Sequence, residues 1–152
     1  MNMIAIFHNV RSTHNVGSLF RTAECAGVEK IYLTGYTPAP IDRFGREQQA
    51  IAKVALGAQK SVPWESGNIV KVVENLKQSN HVIVGVEQTP ESVPYKDYTA
   101  PEKAIFIFGN EVDGLPEDVL ALCDTVVEIP VRGEKESLNV AVTAGIILFH
   151  FN

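Results

Sequence analysis

Short apolar runs that alternate with helical patterns constrain the fold of this chain more than any other feature of its sequence. The runs are rich in β-branched and aromatic residues and end at turn residues, which is typical of buried strands. Helical patterns lie between several of them, which predicts an α/β fold with helices on both faces of a parallel sheet. The five runs are residues 3–7, 31–33, 82–86, 104–108 and 125–129.

Helices are predicted where apolar residues recur at i, i+3, i+4 and i+7. This spacing occurs in residues 16–23 and 69–76. A shorter helix is predicted near Pro116, because proline is tolerated in a first helical turn. Residues 138–151 are apolar almost all round, which predicts a helix buried on most sides. Residues 89–101 contain three prolines and predict an irregular connection.

The size and composition of the chain exclude several classes of protein. With 152 residues, 45% of them hydrophobic, we expect a single domain over residues 1–152 with its own core. No apolar run approaches the roughly 18–20 residues of a membrane span, and the N-terminus lacks the basic start of a signal peptide. Cys25 and Cys123 fit no zinc spacing, so we expect reduced thiols, a cytoplasmic protein and no metal.

Charge is distributed unevenly along the chain. The formal net charge is −5, but residues 1–60 carry seven basic and four acidic residues, whereas residues 61–152 carry six basic and fourteen acidic ones. Such asymmetry permits a local anion-binding face on an acidic protein. The alternative is an uneven surface without functional meaning.

Polar loops follow the predicted strands, and in open α/β sheets ligands bind beyond the carboxyl ends of the strands. In residues 9–21, Asn15 is a candidate N-cap and Gly17 lies in the first helical turn, where it allows a close approach. With Arg21 one and a half turns further on, this helix start is a candidate phosphate site. The alternative is a capped helix with two surface arginines.

Residues 109–116 follow a fully apolar strand, so a ligand can lie against the backbone of Gly109. Glu111 and Asp113 are candidate catalytic carboxylates, metal ligands or acceptors for backbone N–H groups. Gly114 is predicted to have a positive φ. The alternative is a turn before a short helix.

Residues 129–142 form the third polar loop. Ser137 and Asn139 open an otherwise apolar helix. Polar side chains at a helix start either cap it or face a site. A serine cap accounts for Ser137 but leaves Asn139 unexplained.

No glycine-rich nucleotide fingerprint and no nucleophile elbow occurs in the sequence. Taken together, however, three motifs resemble the SpoU (TrmH) family of RNA ribose 2′-O-methyltransferases, which belong to the SPOUT class. They are N-x-R-x-x-x-N-x-G-x-x-x-R at 9–21, F-G-N-E-x-x-G-L at 108–115 and I-P-x-R-G-x-x-x-S-L-N-V at 129–140.

The resemblance implies a fold whose C-terminal part forms a trefoil knot, and it implies a homodimer. Residues 138–151 are a candidate part of the dimer interface; the alternative is that they only fill the core. It also implies S-adenosyl-L-methionine as the cofactor, with S-adenosyl-L-homocysteine as product and no metal. The matching cofactor loops contain Gly109, Ile129 and Leu138, and the end of a strand at Val84 and Gly85 lies beneath them.

The implied reaction transfers a methyl group to a ribose 2′-hydroxyl of structured tRNA or rRNA. Arg21 matches the residue that activates the hydroxyl; since a guanidinium seldom releases a proton, the alternatives are that it clamps a phosphate or stabilises the developing alkoxide. Glu111 anchors its loop or orients Arg21. By the same resemblance, Asn15, Ser137 and Asn139 hold the arginine and the ribose, and Arg11 and Arg132 contact phosphate.

Many members of the family carry an additional RNA-binding segment, and we expect none in residues 1–152. We therefore expect RNA to be held by the dimer, by the charged segment 43–60 or by a helper protein, without any membrane association. Two alternatives remain: a non-catalytic dimeric RNA-binding or assembly relative with the same fold, and an unrelated nucleotide- or flavin-binding α/β protein.

Overall fold

Seven strands form one sheet in the computed structural model, which describes residues 2–152. Every recorded pairing between neighbouring strands is parallel. The order across the sheet is β3-β2-β1-β6-β4-β7-β5. The strands are β1 (Ile4–His8), β2 (Lys30–Thr34), β3 (Trp64–Gly67), β4 (Val82–Val86), β5 (Val93–Pro94), β6 (Ala104–Phe108) and β7 (Thr125–Glu128).

Helices connect the strands and cover the sheet. A single 3₁₀ turn, Tyr95–Asp97, follows β5. Within residues 2–152, no helix combines the length and the apolar character needed to cross a membrane. The helices are α1 (Thr13–Cys25), α2 (Gln49–Ala55), α3 (Ala58–Ser61), α4 (Ile69–Gln78), α5 (Glu117–Leu120) and α6 (Val140–Phe151).

Each face of the sheet has its own apolar core. Alternate residues of a strand point to opposite faces, so Phe7 of β1 packs on one side and Ile6 on the other. The first core contains apolar residues of α1, α2 and α6, and the second contains those of α4 and α5. The predicted α/β architecture with helices on both faces is confirmed.

The five predicted strands correspond to β1, β2, β4, β6 and β7. The sequence did not reveal β3, whose side chains are largely exposed, or β5, which has only two residues. Helices α2 and α3 were also missed, because each is short and α2 buries only Ile51 and Ala55. The predicted irregular connection 89–101 contains β5 and the 3₁₀ turn.

Helix α6 differs from its prediction in two ways. It begins at Val140, two residues later than expected. It is also not buried on most sides, since Val142 and Phe149 are more than half exposed. The trefoil knot that the resemblance implies stays a prediction.

Candidate active site

The polar loops meet because the strands that precede them are neighbours. β1, β6, β4 and β7 are adjacent and parallel in the sheet, so their carboxyl ends lie along one edge. The loops after these four strands therefore lie side by side, at the position where open α/β sheets bind ligands.

The loop after β6 is held closed by its own backbone. The N–H groups of Asn110 and Gly114 each donate to the other residue's carbonyl at 3.1 Å. Gly109 packs so tightly against this turn that a Cβ there would lie 2.5 Å from the carbonyl carbon of Gly114. The predicted positive φ of Gly114 is confirmed at 66°, and a Cβ there would collide with the carboxylate of Glu87.

A chain of hydrogen bonds joins three of the predicted site residues. The Glu111 carboxylate accepts from the backbone N–H of Arg11 at 3.0 Å and of Ser12 at 2.9 Å. It also accepts from the Asn15 side-chain amide at 3.3 Å. The Asn139 amide in turn donates to Asn15 Oδ1 at 3.3 Å. Glu111, Asn15 and Asn139 therefore lie together, although they come from three segments that are far apart in the sequence.

The carboxyl group of Glu111 is held ionised by these donors. Partial burial raises its pKa, but the hydrogen bonds from Ser12, Arg11 and Asn15 outweigh burial, and the net pKa lies below its usual value. A carboxylate that accepts several N–H groups is stabilised in its charged form. The structure places Glu111 as the anchor of the start of α1, and it does not pair Glu111 with Arg21.

Asn15, the candidate cap of α1, does not cap it, and the alternative account of Ser137 as a helix cap is also wrong. Ser12, not Asn15, caps α1: its hydroxyl accepts from the N–H of Asn15 at 3.1 Å. Asn139, not Ser137, caps α6: its side-chain oxygen accepts from the N–H of Ala141 at 2.8 Å. Because Ser12 caps α1, the Asn15 amide is available for the hydrogen-bond chain.

A cleft of about 270 Å³ opens beside this chain of hydrogen bonds, between the loops that follow β4, β6 and β7. Gly109, Ile129 and Leu138 line it, as does the exposed Ser137. Val84 and Gly85 do not. Both lie within β4, where Val84 is fully buried and a Cβ on Gly85 would meet Cys123 Sγ at 2.9 Å.

The walls of the cleft combine apolar and acidic groups. Among the described residues that line it, none is basic. Such a cleft suits a ligand that carries positive charge together with a flat or apolar part. The apolar lining includes Val86, Phe108 and Val140; the acidic residues are Glu87, Glu111, Asp113, Glu128 and Glu136.

The three predicted arginines are exposed, and none forms an ion pair within residues 2–152. Arg21 follows Asn15 by six residues in α1, which places it roughly 9 Å further along the axis and about 120° around it. Arg11 lies at the start of the loop that Glu111 anchors, with its guanidinium carbon 5.6 Å from the Tyr36 ring centroid. Arg132 lies in the exposed segment before α6.

Sequence reasoning missed three residues that shape this region. Glu87 accepts from the N–H of Leu115 at 2.9 Å and so ties the loop after β6 to β4. Asn110 organises the turn, since its Oδ1 accepts from the N–H of Val112 at 2.8 Å and of Asp113 at 2.9 Å. Two of these residues could have been found from the sequence: Glu87 directly follows an apolar strand, and Asn110 lies within a motif. Tyr36 follows β2 without such a signal.

No group of three or more His, Cys, Asp or Glu side chains suited to a metal ion occurs within residues 2–152.

The model of the SpoU rRNA Methylase family matches residues 2–149. The chain belongs to this family. Two of the three motifs, at 108–115 and 129–140, supply residues that line the cleft. The first motif, at 9–21, is joined to them by the hydrogen bonds of Asn15 with Glu111 and Asn139.

Several curated relatives of this chain are longer than it is. It is 33% identical over 147 residues to the 23S rRNA (guanosine-2′-O-)-methyltransferase RlmB of Neisseria meningitidis serogroup B, covering 96% of this chain and 56% of that protein. The chain thus spans about half the length of the curated relatives it matches.

Solved structures of an rRNA methyltransferase and of a tRNA modifying enzyme share the fold. An AdoMet-bound rRNA methyltransferase from Sinorhizobium meliloti matches with a TM-score of 0.85 and 26% identity, covering 97% of this chain and 54% of that one. The A. aeolicus TrmH/SpoU tRNA modifying enzyme matches with a TM-score of 0.84 and 26% identity, covering 97% and 72%.

Proposed function

We propose that this protein transfers a methyl group from S-adenosyl-L-methionine to a ribose 2′-hydroxyl of structured tRNA or rRNA. The observation that carries the proposal is the hydrogen-bond chain from Asn139 through Asn15 to Glu111 beside the acidic cleft. These are the residues that match the catalytic motifs of the SpoU family. Similar proteins carry names that specify 2′-O-methylation of rRNA.

The cleft fits the proposed cofactor by the chemistry of its walls. When bound, S-adenosyl-L-methionine supplies a methyl group on a positively charged sulfur. The backbone around Gly109, Ile129 and Leu138 would hold it, with Val84 and Gly85 supporting these loops from β4. The tight packing of Gly109 against Gly114 leaves no room for a side chain at position 109, which keeps its backbone groups open to a ligand.

The chain's own residues align the acceptor and stabilise its charge. Asn15 and Asn139 are proposed to position the ribose, with Glu111 fixing Asn15 and Ser137 contributing from the rim of the cleft. In-line transfer depends above all on such alignment. Arg21 is proposed to act on the hydroxyl by clamping an adjacent phosphate or stabilising the developing alkoxide, because a guanidinium is a poor proton acceptor.

The remaining partners are also proposals. A homodimer is supported by the exposed apolar residues Leu138, Val142 and Phe149 in and before α6. Arg11 and Arg132 are exposed cations suited to RNA phosphates, with a helper protein as a further source of RNA affinity. A cytoplasmic location is supported by the two free cysteines.

The decisive experiment incubates the protein with labelled S-adenosyl-L-methionine and RNA from cells that lack it. We expect label at a ribose 2′-oxygen, which nuclease mapping will assign to one nucleotide. If no RNA becomes labelled, the enzymatic proposal is refuted. Failure to bind the cofactor in calorimetry would instead favour a non-catalytic RNA-binding relative.

Replacing Arg21 by alanine separates chemistry from cofactor binding. We expect Arg21→Ala to abolish methyl transfer, because the ribose hydroxyl loses the positive charge that is proposed to act on it. Calorimetry should give a nearly unchanged affinity for S-adenosyl-L-methionine. Lys71→Ala, at an exposed cation of α4, is the matched control and should leave both unchanged. Equal loss of activity and cofactor affinity in Arg21→Ala would contradict this role.

A further inference from the structure

A second cleft, of about 550 Å³, lies on the other side of the loop after β6. Arg11, Ser12 and Tyr36 line it on one side. Residues 110–113 line both this cleft and the cleft proposed for the cofactor. One thin wall therefore separates a site suited to a methyl donor from a second open site.

Tyr36 is fixed at both ends, although more than half of it is exposed. Its backbone N–H donates to Asn9 Oδ1 at 3.1 Å. Its phenolic oxygen accepts from the side-chain amide of Asn110 at 2.9 Å, and the same amide donates to the carbonyl of Asn9. The ring is therefore held rigidly in an open position, which is unusual for an exposed aromatic side chain.

The backbone on either side of this ring adopts conformations that few residues tolerate. Asn9 has a φ of 57° and Gly35 a φ of 64°. A Cβ at Gly35 would lie 1.8 Å from Asn9 Oδ1, so only glycine permits the contact between Asn9 and the N–H of Tyr36. Positive φ at a non-glycine residue marks a conformation that its surroundings must impose.

A cation also lies beside the Tyr36 ring. The guanidinium of Arg11 lies over the Tyr36 ring, with 5.6 Å between its carbon and the centroid. The Arg11 backbone is fixed in turn, because its N–H donates to Glu111. An ordered exposed ring with an adjacent arginine is the combination that proteins use to stack unpaired bases and contact their phosphates.

We propose that the second cleft receives a nucleobase of the RNA substrate, stacked on Tyr36, next to the ribose that is methylated. This inference rests on the proposed function, since it assigns the base-binding part of the same site. The shared wall of residues 110–113 accounts for the geometry: base and methyl donor occupy neighbouring clefts, and the sugar between them lies near Asn15.

The test compares Tyr36→Leu, which removes the ring but keeps apolar volume, with Tyr36→Phe, which keeps the ring and loses the hydroxyl. Methyl transfer from labelled S-adenosyl-L-methionine to total RNA from cells lacking the protein gives the apparent KM for RNA. We expect Tyr36→Leu to raise this KM roughly 5- to 150-fold, the effect of losing one stacked base. Tyr36→Phe should stay within about threefold of the wild type.

Cofactor affinity and folding are measured on the same samples. Calorimetry with S-adenosyl-L-methionine should give the same affinity for all three proteins, and thermal melting should confirm that each is folded. An unchanged KM in Tyr36→Leu overturns the inference, as does an equal rise in Tyr36→Phe or a parallel loss of cofactor affinity. Absence of methyl transfer by the wild type refutes the proposed function itself.

Discussion

At the scale of single residues, the site depends on side chains that donate and accept at once. The Asn15 amide donates to Glu111 and accepts from Asn139, which aspartate at the same position could not do. The N–H groups of Arg11 and Ser12 also donate to the Glu111 carboxylate. Each polar group is thereby fixed in one orientation, which is the precondition for aligning a substrate.

His8 makes stability depend on pH near neutrality. Burial lowers its pKa below 6.5, with Asp118 opposing this effect, and its Nδ1 lies 2.9 Å from Thr34 Oγ1. Between the lowered folded value and about 6.5, the unfolded chain binds more protons, so the free energy of unfolding falls as pH decreases through this window. Urea denaturation at pH 7.5 and at lower pH measures the loss.

His8→Asn should flatten this dependence, because the variant has no group at position 8 that titrates there. His14→Asn, at an exposed histidine, is the control and should retain the slope of the wild type. A slope in His8→Asn equal to that of the wild type would show that other groups cause the pH dependence.

The sequence allowed the site residues to be found but not their contacts. Asn15, Glu111 and Asn139 were predicted from motifs, and the structure brings them together. The candidate cap Asn15 instead donates to Glu111, which lies 96 positions away, and no local pattern could reveal that contact. Tyr36 had no local signal because its support comes from Asn9 and Asn110.

At the scale of secondary-structure elements, Gly17 determines how closely α1 and α2 approach. A Cβ at this position would lie 2.8 Å from the carbonyl oxygen of Ile51 and 2.8 Å from Val54 Cβ. The close approach predicted for Gly17 therefore occurs, and its partner is the backbone of α2. The contact holds the segment after β2 against the helix that carries Asn15.

Two glycine-to-alanine variants test this contact. Gly17→Ala should destabilise the protein by about 1–3 kcal/mol, because backbone and side chain of α2 must move. Gly145→Ala in α6 is the matched control: its Cβ would meet only Thr22 Cγ2, at 3.7 Å, so removing a helical glycine should stabilise by about 0.5–1 kcal/mol. Chemical denaturation measures both, and equal effects would contradict the packing argument.

Strands and helices with a clear pattern of apolar residues could be predicted from the sequence. Those that depend on pairing or packing with a neighbouring element could not. β6 is buried at all five positions and stood out in the sequence. β3 exposes most of its residues and exists because it pairs with β2 at the edge of the sheet. For helix α6 the prediction of burial was too strong. An all-apolar pattern indicates that a helix is covered, but it does not say whether residues of the same chain or of a second chain cover it.

At the scale of the whole molecule, the exposed face of α6 concerns assembly. Val142 and Phe149 are 51% and 56% exposed although the opposite side of the helix packs in the core. A helix with two apolar faces is suited to covering by a second copy of the chain.

Phe149→Glu should therefore convert the proposed dimer to a monomer, because a charge cannot be buried unpaired at an interface. Sedimentation equilibrium should show the mass falling by half, and methyl transfer should fall with it. Val70→Glu, at an exposed apolar residue of α4, is the control and should leave the mass unchanged. A wild type that sediments as a monomer would contradict the proposed dimer.

The hydrogen-bond chain at the site also has a consequence for the order of folding. Asn15 lies 96 positions before Glu111 and 124 positions before Asn139, and contacts this distant in sequence carry a large entropic cost of closure and form slowly. A polypeptide emerging from the ribosome completes α1 early, but Asn15 must wait for α6 to be synthesised and docked. The proposed active site is therefore expected to form later than most of the contacts within α1.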